Sequence, residues 1–262
     1  MGITGTDVAK GTADMILTDD NFASIVSAVE EGRVIYSNIR KFVGFLLSCN
    51  VGEILVIFLT SLILGPGFVP LVPVQLLWLN LVTDSFPALA LGSEKGDPDI
   101  MTRRPRSKRE SIINGDMIGA ILVQSVAIFA AVYGVFTLAL GKAFLFLPGT
   151  AGVPDETLVH ARTMAFATLI VAELLRAFTA RSERHSIFRI GWFSNKQMLV
   201  AFAVAVVLLL AVIYVPFLDP VFDTTFLRLV DWAAILGFAL VPFAAGEIYK
   251  LVRRILERKR GA

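Results

Sequence analysis

Two short stretches carry a chemistry that their apolar surroundings make costly. In "SCNVGEIL", Asn50 and Glu53 stand three residues apart; in "LLWLNLVTDSFPALALG", Asn80, Thr83 and Asp84 stand at i, i+3 and i+4. Both spacings put the groups on one helix face. A third stretch, "ATLIVAELLRAF", holds Glu173. Together these are three carboxylates and three neutral oxygen donors, with no lysine or histidine at matching depth. Ionisable groups in apolar spans are expensive and mark function by default. Hard cations want this mixture: calcium takes about six to eight oxygens from carboxylates, amides, carbonyls and water. Zinc or copper fits less well, because imidazole and thiolate ligands are missing. Carboxylates left without a cation repel one another, so metal release is linked to proton uptake. The competing reading is that these groups only hydrogen-bond helices together. It suits Asn50 or Thr83 alone better than Glu53 with Asp84. Glu173 also has a bland reading, an ion pair with Arg176 near the membrane interface.

Proline adds to the site. Pro87 follows Asp84 by three residues and has no N–H to give to the Thr83 carbonyl, so carbonyls near Asp84 are freed or tilted. Gly52 beside Glu53 permits close helix approach. Gln124 and Ser125 read as interhelical glue, and Gly115 and Gly119 as close packing. Glu247 reads as an interfacial partner of Lys250, and His160 and His185 as solvated.

These residues need a membrane scaffold, and the composition supplies one. The 262 residues are 56% hydrophobic and only 18% charged, with mean hydropathy +0.73. A soluble domain is usually about 45–50% apolar and 25% charged. A net charge of +2 is too small to suggest a nucleic-acid partner. The single cysteine, Cys49, excludes an internal disulfide and reads as a small buried hydrophobe. The first residues lack the basic-then-apolar order of a secretion signal.

Six stretches are apolar enough to span a bilayer: roughly 42–64, 71–92, 116–140, 160–180, 197–217 and 230–250. The fourth is the least apolar. Short connections favour hairpins of neighbouring helices. Basic residues cluster on one side of the spans. They are Arg33, Arg40 and Lys41; Lys95, Arg103, Arg104, Arg106, Lys108 and Arg109; Arg176, Arg181, Arg184, Arg189 and Lys196; Lys250, Arg253, Arg254, Arg258, Lys259 and Arg260. The opposite loops hold only Lys142, Arg162 and Arg228. The bias predicts a multi-pass protein in the cell membrane with both termini cytoplasmic and the bilayer as a partner.

Residues 1–40 read differently. "ADMILTDD" predicts a short strand running to a turn. Asp19, Asp20 and Asn21 offer capping oxygens for a helix starting near Phe22. Apolar residues then recur at helical spacing, with no proline before Pro66, so this helix is expected to run directly into the first span, with Gly32 as a weak point. The expected fold class is an all-α membrane protein, a six-helix transmembrane bundle with a short α/β remnant at the N-terminus. The N-terminal piece is too small for its own core and reads as the end of a larger domain.

The ordered segments "GTDVAKGTADMILTDDNFASIVSAVEEGRVIYSNIRKF", "NVGE", "PVQLLWLNLVTDSFPALALG" and "DIMTRRPRSKRESII" resemble consecutive motifs of the type II, calcium-transporting P-type ATPases. The resemblance is strong over residues 1–113 and collinear beyond. It implies that residues 1–40 are the tail of the phosphorylation domain with a stalk helix, and 41–262 the fifth to tenth membrane helices. It further implies that Asn50, Glu53, Asn80, Thr83 and Asp84 bind Ca²⁺, that Asp84 is shared by two ions, and that Glu173 contributes from the eighth helix. Ser85-Phe86 departs from the glycine and smaller apolar residue of many members. "DKTGT", "TGES", "GDGxND" and "PEGLP" do not occur in the sequence. ATP and Mg²⁺ are therefore expected only in the full-length protein, the missing N-terminal domains are the expected partner, and this chain alone is expected to be inactive. Pumps for Mn²⁺, Na⁺ or K⁺ and an ATP-independent six-span transporter or channel are the alternatives, though no internal repeat of the secondary-transporter kind is visible.

Overall fold

The computed structural model describes residues 1–103, 105–106, 111–141 and 153–260, the last four by backbone alone. Arg104, Lys108, Arg109 and Lys142, and the side chains of Arg258, Lys259 and Arg260, lie outside the described residues. The structure is 72% helix, with no strand among the described residues.

The predicted N-terminal α/β remnant is not there. Residues 13–17 take no regular form, and Met15 and Ile16 are exposed. A strand exists by pairing, and the one backbone bond this segment makes across the loop is from Gly2 N to Leu17 O, 2.7 Å. Helix α1 (Asp7–Thr12) is a short turn capped by Thr6 that buries nothing. The expected cap residues divide their work. Asn21 Oδ1 accepts from Ala23 N at 2.9 Å, at the start of α2 (Ala23–Leu64). Asp19 accepts from Asn21 N and from the Ser24 hydroxyl. Asp20 turns away instead, with φ +53°, and holds the N-terminal loop. The Thr4 hydroxyl, then the N–H groups of Ile3 and Thr4, pull its carboxyl down to about 2.

Helix α2 runs 42 residues without a break and passes through Gly32. At 1.5 Å per residue it is about 63 Å long, twice a bilayer core. Gly65, at φ +104°, and Pro66 stop it. The second span is composite: α3 (Pro73–Trp78), a π-helical turn (Leu79–Thr83) and α4 (Ser85–Gly92). Then come α5 (Gly115–Ala139), α6 (Asp155–Ala180), α7 (Ile187–Ile190), α8 (Lys196–Tyr214), α9 (Asp219–Phe222) and α10 (Leu229–Arg260). Six of these units are long and apolar enough to cross a membrane. Chain order does not set packing order: α2 packs chiefly on α5, and α10 against α5 and α6.

The fourth span, α6, is the most buried, from Ala161 through Ala180 almost without exception; the second span, rather than α6, is the least apolar. A helix sheathed by others has no lipid-facing side to keep apolar, so it can carry polar groups. At the basic end of the bundle, the Arg181 side chain is fully buried and clamps Glu94 through Nε and Nη2 at 2.7 and 3.1 Å. Asn195 joins from the start of α8. At the opposite end Gln75 donates to Phe222 O at 2.8 Å, and Arg162 to Val69 O at 2.9 Å. His160, partly exposed there, lies 3.3 Å from Asp231.

Two outcomes follow. Arg181→Ala strands a buried carboxylate and should cost about 3–5 kcal/mol in thermal or denaturant unfolding in detergent, against less than about 0.5 for exposed Arg184→Ala. Because the Asp20 carboxyl is depressed in the fold, its hold on the loop is complete above about pH 4 and lost as pH falls through about 2. Amide exchange at Thr4 should report that release.

Candidate cation site

Helix α2 brings Cys49, Asn50 and Glu53 to the middle of the bundle. Gly52 makes the approach possible, since α5 lies against it through Ile128 and an added Cβ would sit 3.1 Å from that side chain. Ser125 of α5 donates to Ser48 O at 3.0 Å, the glue expected of it. Gly119 lies close to Tyr249 as predicted for close packing, whereas Gly115 faces open space.

The wide turn in the second span is the local event that aims Asp84. Its N–H reaches Leu79 O at 3.0 Å, five residues back rather than four. The Thr83 hydroxyl shares the same carbonyl at 2.9 Å. Pro87 has no N–H for Thr83, and the helix accommodates the gap by widening rather than breaking. Ser85 helps to cover it, donating to Asn80 O at 3.4 Å.

Glu53, Asp84 and Glu173, from three elements, are 5%, 1% and 2% exposed. Asp84 lies within electrostatic reach of Glu53, and its carboxylate, that of Glu173 and the Cys49 sulfur come within 4.8 Å of one another. Asn80 bridges two elements, donating to Glu53 Oε2 at 2.8 Å and to Leu76 O at 3.1 Å. Asn50 turns back on its own helix, to Leu46 O at 2.8 Å, and is half-buried. Among the described residues four carboxylate oxygens have no hydrogen bond of good geometry: Glu53 Oε1, Asp84 Oδ2 and both of Glu173, beside which lie Asp84 and the Cys49 thiol. Buried acceptors without donors are rare in folded proteins and ask for an explanation. A hard, oxygen-seeking cation supplies one.

Glu173 does not make the interfacial ion pair that Arg176 offered. It sits in the core, and Arg176 instead donates to Thr179 Oγ1 at 3.3 Å. Cys49 was missed as a neighbour of the carboxylates. Its signal was available: it precedes Glu53 by four residues, hence on the same face. A second cluster, Asp97, Asp99 and His185, also falls within 4.8 Å. Arg103 already pairs with both aspartates at 2.7 Å, so that cluster carries its own cation.

Known proteins resemble the chain closely. The family described as "Cation transporting ATPase, C-terminus" matches residues 68–252. Calcium-transporting ATPase 1 of Bacillus cereus is 42% identical over 258 residues, 97% of this chain and 29% of the relative. The endoplasmic reticulum calcium ATPase srcA of Aspergillus fumigatus is 37% identical over 97% of this chain and 28% of its own length. Calcium-transporting ATPase type 2C member 1 of Homo sapiens is 37% identical over 98% of this chain and 27% of its own. The chain thus spans less than a third of each.

The geometry ranks two asparagines. In protein free of added cation, Asn80→Ala removes a bond to a buried carboxylate and should cost about 1.5–3 kcal/mol in an unfolding assay. Asn50→Ala removes only a local backbone contact and should cost about 1 kcal/mol or less. Equal losses would show that the Asn80–Glu53 bridge has no special role.

Proposed function

The chain belongs to the type II, calcium-transporting P-type ATPases as their C-terminal part, and from that premise we propose that it is the cation-binding membrane half of an ATP-driven Ca²⁺ pump. It is a multi-pass membrane protein. One observation carries the proposal: three carboxylates, from α2, from Asp84 just after the π-helical turn and from α6, converge inside the bundle with four oxygens unpartnered among the described residues. Glu53, Asp84 and Glu173 are assigned as charged ligands, with Asn80, Thr83 and Asn50 as neutral oxygens. Asn80 and Asn50 hold local bonds in the cation-free geometry and must rotate to reach the ion. Ligands from three helices favour two ions with Asp84 shared between them. When the cation leaves, crowded carboxylates need compensating charge, and protons from the far side are proposed to supply it.

Residues 1–40 are proposed to be the tail of the phosphorylation domain and its stalk helix, with both termini cytoplasmic and the protein in the cell membrane. The exposed apolar residues Ile3, Val8, Phe22 and Val26 support this, since nothing among the described residues covers them. Phosphorylation by Mg·ATP takes place in the rest of the pump. The unbroken α2 is then the lever that carries movement from that domain to Glu53.

The test is Ca²⁺-dependent ATP hydrolysis by the full-length pump. Glu53→Gln and Asp84→Asn should each weaken Ca²⁺ activation by about tenfold or more, the cost of losing one charged ligand of a desolvated ion. Normal cation dependence in both variants sinks the site assignment. The chain by itself should hydrolyse no ATP above a membrane blank.

A further inference from the structure

A cavity of about 70 Å³ lies between α2, α5, α6 and α10, on the basic side of the carboxylates. Since one water needs about 10–15 Å³, it has room for several. Its wall is mostly apolar but carries polar atoms: Gln124 Oε1 and Arg176 Nε are buried there without a hydrogen-bond partner among the described residues, which suits water. Two wall carboxylates are already matched, Asp116 by Arg253 at 2.5 Å and Glu183 by Arg40 at 3.1 Å. Lys250 pairs with Glu247 at 2.9 Å. The excess charge along the wall is therefore positive, from Lys41 and Arg176. Among the described residues Arg176 forms no ion pair, although it is 8% exposed.

Arg176 stands at the inner end of this cavity. It lies within electrostatic reach of Cys49, and the Cys49 sulfur is within 4.8 Å of carboxylate oxygens of Asp84 and Glu173. Arg176, on the cavity wall, and Cys49 thus connect the cavity to the cation site. A transport site must open to one side at a time, and a hydrated cavity this close would otherwise be a second door. We propose that Arg176 is a charged seal: its guanidinium bars a metal ion from passing between the cation site and the cavity. A guanidinium suits the task, because it holds its charge firmly and is weakly hydrated, and a fixed positive charge in a narrow dry passage repels cations far more than in water. The inference rests on the transport reading above.

The experiment uses the full-length pump in sealed vesicles with Arg176→Gln and Arg176→Lys. The glutamine variant should still hydrolyse ATP in response to Ca²⁺. It should accumulate about threefold less Ca²⁺ per ATP and lose preloaded Ca²⁺ about tenfold faster without ATP, while lysine restores both. Unchanged coupling and efflux with glutamine overturn the seal, as does a lysine variant that leaks like glutamine, since packing rather than charge would then be at stake. A second measurement does not depend on that variant folding. Ala120→Cys places a thiol on the cavity wall, with the fully buried Cys49 as background. An anionic methanethiosulfonate should modify it about tenfold faster than a cationic one of like size. Equal or reversed rates overturn the proposal. A wild-type protein with no Ca²⁺-stimulated hydrolysis would sink the pump reading instead, and the thiol rates would still decide the sign of the cavity.

Discussion

Holding three carboxylates together in an apolar bundle, with few donors to compensate them, is the constraint that shapes the rest of the structure. Each orphan oxygen forgoes water without a donor in return. The bundle tolerates this because its packing leaves no alternative. Gly52 brings α5 against α2, the Ser125–Ser48 bond pins that contact, and α6 passes through the centre carrying Glu173. Asn80 relieves one oxygen of Glu53 and leaves the other. The site is thus poorly compensated by its own side chains, and in the proposed pump a bound cation would relieve that cost.

The cost is localised because both ends of the bundle are stitched. At the basic end, Arg33 of α2 donates to Ile100 O and Arg103 O, each at 2.9 Å. Asn38 donates to Glu94 O at 2.6 Å, and Arg181 holds the Glu94 carboxylate. The extension of α2 and the segment after α4 are therefore one mechanical unit. A push on α2 reaches Glu53 through the helix and Asp84 through that segment and α4. In the proposed pump, one displacement would disturb ligands on two spans together, which a single lever acting on a single ligand would not do.

The spans and the polar face were legible in the sequence because both are violations of a simple background. Apolar runs stand out from an ordinary composition, and Glu53, Asp84 and Glu173 stand out from apolar runs. The continuity of α2 was legible from the absence of proline before Pro66. The strand over "ADMILTDD" was misread because a short apolar run forms a strand only once a neighbour pairs with it, and the described residues supply one isolated bond. The π-helical turn was half legible: Pro87 announced lost backbone bonding, but nothing in the spacing distinguished widening from breaking. Cys49 is buried as expected but also adjoins the carboxylates, and Arg176 does not make the competing ion pair with Glu173. Which groups a buried side chain meets depends on which helix is central, and α6 is central through packing with α5, the helix before it, and with α10, far along the chain.

That central placement explains why opposite charges three residues apart on α6 stay unpaired. Had Arg176 folded back onto Glu173, it would fill the site with a tethered cation and leave a free ion little to gain. The side chain turns instead toward the cavity and Thr179, with Cys49 beside it. Both charges are then left poorly compensated in a region with few donors, and the fold bears two costs where one internal pair would have cancelled them. Such an arrangement has no merit in a purely structural bundle, where the pair or two apolar residues would be more stable. It makes sense where Glu173 must remain available to an arriving ion and where the far side of Glu173 must stay closed to that same ion.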